Sequence, residues 1–366
     1  VTRTFRYPLQ PTKIQEAILD RWLLTCQRFY NSALEERREA YRRQRVSITR
    51  YDQQKELTKL RRDAAEYRDI PVTVMRSPLR RLERAFQGFF QRVKTGKTPG
   101  YPRFKSRDRY DSFSVGRVAI DLAAKRIRIP KLGDVKVHLY RPLGGEVLDI
   151  ILHRSAKGWY ACVACDVGEA PPKVAVRPGK VVGIDVGLTK LATLSDGGVV
   201  ENPRYFREAE EQLARRQRIL ARRKRDSRSR RRAKRLVARS HEHIKNQRLD
   251  YARKVAKQLV NDYDLIVHED LQIARMVRGN LAKSIHDAAW GVLLRCIACK
   301  AEEAGKHVIA VDPRGTSQRC SMCGTVVSKD LSIRVHACPS CGYTADRDLN
   351  AARNILALGL SAPEAA

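Results

Sequence analysis

Four cysteines near the carboxyl end of the chain have the spacing of a metal site. Cys320 and Cys323 form one Cys-x-x-Cys pair, fourteen residues follow, and Cys338 and Cys341 form a second pair. Two such pairs are typical of a zinc ribbon, in which four thiolates surround one Zn²⁺ ion. A shell of four thiolates leaves no open position, so we expect this zinc to be structural. His336 lies close by in sequence, but the second cysteine pair makes it unnecessary as a ligand.

Two other Cys-x-x-Cys pairs are expected to be small buried residues. Cys162 and Cys165 fall in a predicted strand, where side chains three residues apart point to opposite faces. Cys296 and Cys299 share one face of a predicted helix, but no second pair accompanies them. Five of the nine cysteines lie outside the zinc pattern, and this odd remainder fits a reducing compartment better than a disulfide framework.

Three carboxylates stand where they could meet around metal ions. Asp185 ends an apolar run in the sequence GIDVG, Glu269 follows the apolar run 265–267, and Asp348 lies near the start of the last predicted helix. A charge at the end of a buried strand is costly unless it is paired or binds a metal. Hydrolysis of a phosphodiester by two divalent ions needs several carboxylates converging on one point. The three acids therefore predict a metal-dependent nuclease.

Each acid alone also has an ordinary structural explanation. Glu269 could be a surface acid or helix cap, Asp348 could stabilise a helix dipole, and Asp346 is the favoured N-cap of the last helix. The pattern Gly-x-Asp-x-Gly around Asp185 also occurs in sugar-kinase and actin-like ATPases. The three acids in this order, on a chain of formal net charge +33, favour the nuclease.

The charge of the chain points to a polyphosphate partner. Lys and Arg number 73 against 40 Asp and Glu, which favours nucleic acid. No apolar run approaches the roughly 20 residues of a membrane-spanning helix, and the best candidate, 292–299, is interrupted by Arg295. We find no signal peptide and expect a cytoplasmic protein without a membrane partner.

The first half of the chain predicts helices inserted into a β-domain. A strand at 1–9 precedes three helices, of which the first is capped by Thr12, the second by Thr49, and the third begins at Ser77 and Pro78. The third carries an apolar stripe made of Leu79, Leu82, Phe86, Phe89, Phe90 and Val93. Short alternating runs between 112 and 167 predict a small β-barrel or sheet.

The second half predicts an α/β sheet domain after a linker at 168–180. Apolar strands alternate with helices, and one long Arg-rich stretch is expected to be helical. The predicted order is strand 181–185, strand 191–194, helical stretch 204–260, strand 265–267, helix 285–304, strand 308–311, the cysteine module and helix 348–358.

The second half resembles a known family. The motifs GIDVGLTKLATLSDG, VHEDL, SIHDAAWG, and TSQRCSMCG to CPSCGYTADRDLNAARNI resemble the RuvC-like domain of TnpB (OrfB-type) proteins. These are transposon-encoded RNA-guided endonucleases from which type V CRISPR effectors derive. RFYNSAL, SPLRRLERAFQGFF and GYPRFKSR are more loosely similar to the recognition and wedge domains of that family.

The resemblance implies a fold and a division into domains. The fold is an α/β RNase H-like (RuvC) nuclease domain with a four-cysteine zinc ribbon insertion, plus an N-terminal β-barrel wedge domain carrying an inserted helical recognition domain. The implied domains are the first wedge strand 1–10, the helical recognition domain 11–110, the wedge barrel 111–178, the nuclease domain 179–315, the target nucleic-acid-binding zinc ribbon 316–344, the last nuclease helix 345–358 and a tail 359–366.

The resemblance also implies cofactors and partners. Asp185, Glu269 and Asp348 would be the RuvC acids holding two catalytic Mg²⁺ ions, with Asp348 preferred to Asp346 because it stands two before Asn350. A noncoding guide RNA would select double-stranded or single-stranded DNA next to a short transposon-adjacent motif. We expect one protein per RNA, with a dimer left open, in a prokaryotic cytoplasm and associated with the nucleoid.

Two further sets of residues are candidate nucleic-acid contacts. Between Arg215 and Arg239, fourteen of 25 residues are Lys or Arg, and such density is either a solvated helix face or a phosphate contact, which we favour. Examples are Arg215, Arg222, Arg231 and Lys234. By the resemblance, the start of the second helix is where the flanking motif would be read, and Gln can read adenine edges. The residues there are Tyr51, Gln53, Gln54 and Lys55.

Three other functions stay open at this point. A compact type V CRISPR effector would share every motif, and only its genomic surroundings would separate it. An RNA-guided DNA-binding repressor with little cleavage is disfavoured because all three acids are present. A transposase that joins DNA ends usually takes its third acid as Glu from a long helix, whereas here Asp348 follows a zinc module.

Overall fold

The chain forms two compact units in the computed structural model, Val1–Glu169 and Ala170–Ala366. The structure describes residues 1–330 and 333–361. Residues 331–332 of the predicted zinc ribbon and 362–366 of the predicted tail therefore lie outside the described residues. Within the described residues, no helix is long and apolar enough to cross a membrane.

Unit 1 begins with a strand and continues with helices. Their bounds are β1 Thr2–Gln10, α1 Lys13–Gln44, α2 Arg50–Asp63, α3 Ala65–Arg68 and α4 Val72–Lys94. Helix α1 starts with the predicted capping box, in which Thr12 accepts from the amide of Gln15 and the Gln15 side chain accepts from the Thr12 amide. Thr49 and Asp52 make the same box at the start of α2. Local hydrogen bonds thus fix both predicted starts.

Helix α4 begins earlier than predicted, and Pro78 lies inside it rather than at its start. Proline cannot donate to the carbonyl four residues before it, so the Val74 carbonyl loses its helical partner. The Cys26 thiol on α1 donates to that carbonyl at 3.7 Å. Ser77 also accepts from the Ser114 amide at 3.0 Å. These contacts from distant elements hold the helix through its proline, and no local pattern could reveal them.

The rest of unit 1 is an antiparallel sheet. Its strands are β2 Ser112–Gly116, β3 Ile120–Asp121, β4 Arg126–Ile129, β5 Gly133–Val137, β6 Glu146–Ser155 and β7 Gly158–Asp166. The order is β2-β6-β7-β1-β5-β4-β3, so β1 is central and the helices interrupt the sheet in sequence, as predicted. The edge strands β2 and β3 do not pair with each other in this fully described unit, so hydrogen bonds do not close the sheet. The β-barrel of the implied wedge domain stays a prediction.

Unit 2 contains a five-stranded sheet, a two-stranded ribbon and six helices among its described residues. The strands are β8 Val181–Val186, β9 Lys190–Leu194, β10 Val199–Glu201, β11 Leu265–Glu269, β12 His307–Val311, β13 Val335–Ala337 and β14 Thr344–Asp346. The helices are α5 Tyr205–Ala221, α6 Arg228–Asp262, α7 Ile273–Met276, α8 Ala282–Ala288, α9 Trp290–Glu303 and α10 Arg347–Leu360. The sheet order is β10-β9-β8-β11-β12; β9 is antiparallel to both of its neighbours, β10 and β8, whereas β11 and β12 run parallel to β8.

Two predicted helices of unit 2 are interrupted. The Arg-rich stretch folds into α5 and α6 with a turn between them, and Arg216 on α5 donates to the Ser240 hydroxyl on α6. The predicted helix 285–304 is broken between α8 and α9 at Ala289, whose φ is +55°. A left-handed residue cannot continue a right-handed helix, and alanine is a strong helix former that gives no sign of the break.

Candidate active site

Strand pairing brings the first two predicted acids to the same edge of the sheet. Strands β8 and β11 are parallel neighbours, with Ile184 opposite His268. The next residue on each strand is Asp185 and Glu269, and neighbouring strands lie about 4.8 Å apart. Both carboxylates therefore leave the sheet side by side at its carboxyl end, where α/β sheets place their ligand residues.

Two glycines let helix α10 lie directly on these strands and carry the third acid to them. A Cβ at Gly183 would stand 2.7 Å from the Leu356 amide nitrogen and closer still to the Ala352 carbonyl. A Cβ at Gly359 would stand 3.0 Å from Cβ of Val267 on β11. Only glycine permits this close contact. Asp348 lies one helical turn before Ala352, so the contact at Gly183 sets its position.

The pKa values reflect how close the three acids are. The pKa of Asp185 is raised to about 8 by burial and then by the negative charges of Glu269 and Asp348, while Arg347 opposes the rise. Burial also raises the pKa of Glu269, and the hydrogen bond from Thr316 opposes that change. A buried acid whose ionised form is disfavoured by neighbouring carboxylates is a candidate ligand for a divalent cation. The charges of Glu269 and Asp348 thus both act on Asp185.

Asp346 has the capping role that the sequence predicts for it, and Asp348 does not cap the helix. Asp346 Oδ1 accepts from the Asp348 amide at 2.8 Å and so caps α10. Its other oxygen is 3.3 Å from Lys190 Nζ. The Asp348 carboxylate lies 3.4 Å from Arg347 Nε and is not used as a cap. Asp346 is thus occupied in capping the helix. Of the two aspartates, Asp348 contributes more to the raised pKa of Asp185.

Thr316 is a site residue that the sequence did not reveal. Its hydroxyl donates to Glu269 Oε1 at 2.6 Å. The other oxygen of that carboxylate, Oε2, takes no part in this hydrogen bond. The Thr316 carbonyl accepts from the Asn354 side chain at 2.8 Å. The buried Asn350 accepts from the Ser321 amide and donates to the Arg319 carbonyl. Two asparagines of α10 therefore tie the segment before the first cysteine pair to the acids.

The four predicted zinc ligands converge. Their sulfur atoms all lie within 4.8 Å of one another, with Cys320 and Cys341 3.7 Å apart and Cys323 and Cys338 3.5 Å apart. A tetrahedron with Zn–S bonds of about 2.3 Å has sulfur atoms about 3.8 Å apart, so the donors fit one Zn²⁺. His336 is fully buried beside Lys329 and is not among the converging ligands.

The two other Cys-x-x-Cys pairs differ in burial. Cys165 is buried and Cys162 half-buried on strand β7, while Cys296 is half-buried and Cys299 exposed on α9. The expectation of burial is therefore wrong for Cys299, which lies on the outer side of its helix. None of the nine cysteines is in a disulfide.

Two residues of the motif SIHDAAWG hold neighbouring parts of unit 2 in place. Asp287 is buried, and its carboxylate accepts from the amides of Phe206 and Arg207 and from the Arg248 guanidinium. It therefore satisfies the free amides at the start of α5, whose own N-cap residue makes no side-chain cap. Trp290 Nε1 donates to the Gly187 carbonyl at 3.0 Å and fixes the loop after Asp185.

The predicted motif readers on α2 differ in exposure. Gln53 is 2% exposed, donates to the Ala33 carbonyl and to Glu36, and accepts from Arg37. Its amide is engaged in holding α2 on α1, so it is not free to read a base edge. Tyr51 and Lys55 are exposed, and Gln54 is half-buried.

The predicted basic contacts lie on the α5–α6 hairpin. Four of them are exposed, namely Arg215, Arg222, Arg231 and Lys234. Arg215 is 3.4 Å from Glu211 on its own helix, and Arg222 is the C-cap residue of α5. Along the first turns of α6, arginines line a groove together with Leu236; they are Arg228, Arg231, Arg232, Arg235 and Arg239.

Three family models match consecutive parts of the chain. A model described as "Probable transposase" (OrfB_IS605) matches 163–280, one described as "Cas12f1-like, TNB domain" matches 290–355, and one described as "Helix-turn-helix domain" matches 1–45. The last description does not fit the structure, because 1–45 hold strand β1 and one unbroken helix of 32 residues.

Curated relatives match nearly the full chain. A Streptomyces pristinaespiralis protein named "Putative RNA-guided DNA endonuclease" is 34% identical over 99% of this chain and 90% of its own length. The Escherichia coli K12 protein "Putative RNA-guided DNA endonuclease InsQ" is 34% identical over 98% and 92%. A solved Cas12f1–sgRNA–target DNA complex covers 97% of this chain and 99% of that chain at 16% identity, with a TM-score of 0.37, too low to carry an argument. The sequence relatives establish that this chain belongs to the TnpB family of transposon-encoded RNA-guided endonucleases.

Proposed function

We propose that this protein is an RNA-guided, Mg²⁺-dependent DNA endonuclease of TnpB type. It cuts target DNA beside a short transposon-adjacent motif, and Asp185, Glu269 and Asp348 are its catalytic residues. The observation that carries the proposal is geometric: Asp185 and Glu269 follow paired residues at the same end of β8 and β11, and α10, which carries Asp348 in its first turn, packs directly on Gly183 of β8. Its relatives are named for the same activity.

The sheet supports an RNase H-like assignment for unit 2. Strand order β10-β9-β8-β11-β12, with an antiparallel meander followed by two parallel strands, suits that fold. The acids leave β8 and β11 at their carboxyl ends, and α10 crosses the same strands. On this assignment the four-cysteine ribbon is an insertion between β12 and α10. For unit 1, the wedge and recognition roles remain part of the proposal.

Two Mg²⁺ ions held by the three carboxylates would activate water and neutralise the leaving oxygen. The chain's own residues prepare for this. Thr316 fixes one oxygen of Glu269, so the other oxygen faces the site in a defined direction. Gly183 allows Asp348 to approach Asp185, and Arg347 supplies a positive charge that limits repulsion between the acids. The ribbon zinc, closed by four thiolates, stabilises the segment that holds Thr316.

The guide RNA and the DNA bind through charge. A net charge of +33 suits an RNA scaffold and a target duplex together. We assign phosphate contacts to the exposed Arg215, Arg222, Arg231 and Lys234 of the hairpin. Tyr51, Gln54 and Lys55 remain candidates for reading the flanking motif, whereas Gln53 serves the packing of α2. One protein per RNA, with a dimer left open, is part of the proposal.

The test is cleavage by the ribonucleoprotein purified with its own RNA. The RNA is sequenced, and a labelled duplex that matches its guide is incubated with Mg²⁺ or with no divalent ion. We expect cleavage only with Mg²⁺ and none with Asp185→Asn. The matched control is Asp250→Asn, an exposed acid that pairs with Lys254 on α6, which should cut normally.

The same preparation separates the alternatives. If no defined RNA accompanies the protein, guidance is refuted even if unguided cleavage persists. RNA-dependent binding of the duplex without cleavage would identify a repressor instead. A bound RNA that carries a CRISPR repeat would identify a compact type V effector, and joining of DNA ends without RNA would identify a transposase.

A further inference from the structure

The apolar stripe of α4 continues beyond the core that it helps to build. Its first half packs into unit 1 through residues such as Leu79 and Leu82, which are fully buried. Phe86 packs only against the edge of that core. Phe90 and Val93 on the last turns are 55% and 50% exposed. The apolar stripe therefore predicts more burial than α4 has within the chain. The last part of the stripe is exposed on the surface.

A loop adds further rings to this surface. Tyr101 contacts Phe86 and Phe89 edge-on, with ring centroids 5.6 and 5.4 Å apart. Tyr101 is 43% and Phe104 44% exposed. We call the set the aromatic edge; it comprises Phe86, Phe89, Phe90, Tyr101 and Phe104.

The loop that carries Tyr101 and Phe104 is held in place by side chains of the helices. Arg92 on α4 donates to the Gly100 carbonyl at 2.9 Å. Asn31 on α1 both donates to the Lys105 carbonyl and accepts from its amide, and Gln27 also donates to that carbonyl. Anchors on both sides of the two rings fix their presentation before any partner binds, which lowers the entropic cost of binding.

The surroundings of the aromatic edge are strongly basic. Between 91 and 110 the chain has seven Lys and Arg residues and one acid, Asp108. The guanidinium of Arg38 lies 5.2 Å from the ring centre of Phe104, and that of Arg37 lies 5.3 Å from the centre of Phe86. Exposed rings among cations are the pattern that binds unpaired nucleotides, because bases stack on the rings while phosphates meet the charges. A second copy of this basic chain would be repelled.

We propose that the aromatic edge is a stacking site for unpaired bases of RNA. The inference rests on the proposed function in one respect, namely that the chain carries a resident RNA. A DNA duplex and a guide–target hybrid keep their bases stacked inside the helix, whereas loops and single-stranded segments of a folded RNA offer bases to aromatic side chains. Phe90, Tyr101 and Phe104 are the most exposed rings of the aromatic edge and therefore the ones that we assign to stacking on such bases.

The test measures binding of fluorescein-labelled oligo(U), about 12 nucleotides long, to the full chain without guide RNA or Mg²⁺. Stacking contributes about 1–3 kcal/mol per base, so Phe90→Ala should weaken binding by about 5-fold to 150-fold. Phe90→Trp should restore affinity, and the fluorescence of the new tryptophan should be quenched by oligo(U). Phe90 is exposed, so its variants should melt like the native chain. The control Leu122→Ala removes another exposed apolar residue of unit 1, 56% exposed, and should bind normally.

The salt dependence distinguishes stacking from charge. Phe90→Ala should lower affinity without changing the slope of log K against log salt, since it removes no phosphate contact. Lys97→Gln, at an exposed cation of the same loop, should reduce that slope by about 0.7. Unchanged oligo(U) binding in both Phe90→Ala and Tyr101→Ala would refute the proposal. Equal binding of oligo(dT), with equal loss in Phe90→Ala, would refute the assignment to RNA. Because no cleavage is measured, failure here is separate from failure of the nuclease proposal.

Discussion

Unit 2 contains two sets of candidate metal ligands, four thiols and three carboxylates, that are built in opposite ways. Among the described residues, only the four thiols converge within 4.8 Å of one another. The three carboxylates couple electrostatically but do not meet that distance, and one of them is tied to a threonine. The thiols come from two short local motifs, whereas the acids come from two strands and a helix.

This difference fits a structural role for the thiols and the proposed catalytic role for the acids. Four converging donors complete a shell and leave nothing for a substrate. The proposed two-ion mechanism instead needs carboxylates that leave positions open for water and a phosphate. The ribbon then acts on the acids through Thr316, Asn350 and Asn354, so the closed site supports the open one.

The largest effect that would sharpen this comparison is loss of the zinc. Cys338→Ser removes a buried ligand, and structural zinc in small modules contributes on the order of 10 kcal/mol to their folding. We expect zinc content to fall from one per chain to nearly none and proteolysis to begin within 316–344, as measured by elemental analysis and mass mapping. The control variant Cys299→Ser, which changes a cysteine outside the ribbon, should retain one zinc per chain. Full zinc retention in Cys338→Ser would contradict the closed shell.

Next in size is the contrast between the two neighbouring aspartates of α10. Asp348→Asn should lower the single-turnover cleavage rate by about 1,000-fold or more, since a metal ligand contributes several kcal/mol to the transition state. Asp346→Asn keeps a good N-cap and should change the rate only a few-fold. The reverse order of effects would assign the third acid to Asp346.

A smaller effect is expected from filling the contact between α10 and β8. Gly183→Ala places a methyl group against the backbone of α10, so the free energy of unfolding should fall by about 3 kcal/mol. Denaturant titration of unit 2 measures this, and cleavage should fall as well because Asp348 moves. Gly279→Ala, which meets only the Met276 carbonyl at 3.8 Å, is the control and should change stability little. If Gly183→Ala and Gly279→Ala were equally stable, α10 would not lie against Gly183 as described.

The smallest effect is a dependence of stability on pH in the absence of Mg²⁺. The pKa of Asp185 is about 8 in the folded chain and near 3.8 when unfolded, so the folded state holds the extra proton between these values. Stability should therefore fall as pH rises through this window, and Asp185→Asn should remove that part of the slope. Thermal melts at pH 6 and pH 8 in buffer without Mg²⁺ measure it. Added Mg²⁺ should stabilise the native chain more at pH 8 than at pH 6. If stability changed with pH equally in the native chain and in Asp185→Asn, the raised pKa of Asp185 would be contradicted.

The sequence predicted the four converging thiols and singled out the three acids because each set has a local signal; metal binding by the acids stays a prediction. Two Cys-x-x-Cys pairs need only their spacing, and an acid at the end of an apolar run stands out wherever the strand pairs. The choice between Asp346 and Asp348 was also available, because a helix start has a preferred cap. The strands near these residues were predicted within one or two residues of their observed ends.

The errors arose where a distant contact overrides the local pattern. Pro78 lies within α4 because Cys26 supplies a donor from another helix. Ala289 breaks a helix although alanine favours helices, and Gln53 is buried although it stands among polar residues. Thr316 gives no sign of its bond to Glu269, since their separation of 47 residues is closed only by the fold.

The place of Asp348 along the chain has a consequence for synthesis on the ribosome. Translation delivers unit 1 first, then both strand acids, then the ribbon, and only afterwards the helix that seats on Gly183. A nascent chain can therefore fold its basic surfaces and engage RNA while it still lacks the third carboxylate. On the proposed assignment of Asp348, competence to cut is completed only after the surfaces that would bind RNA have been made.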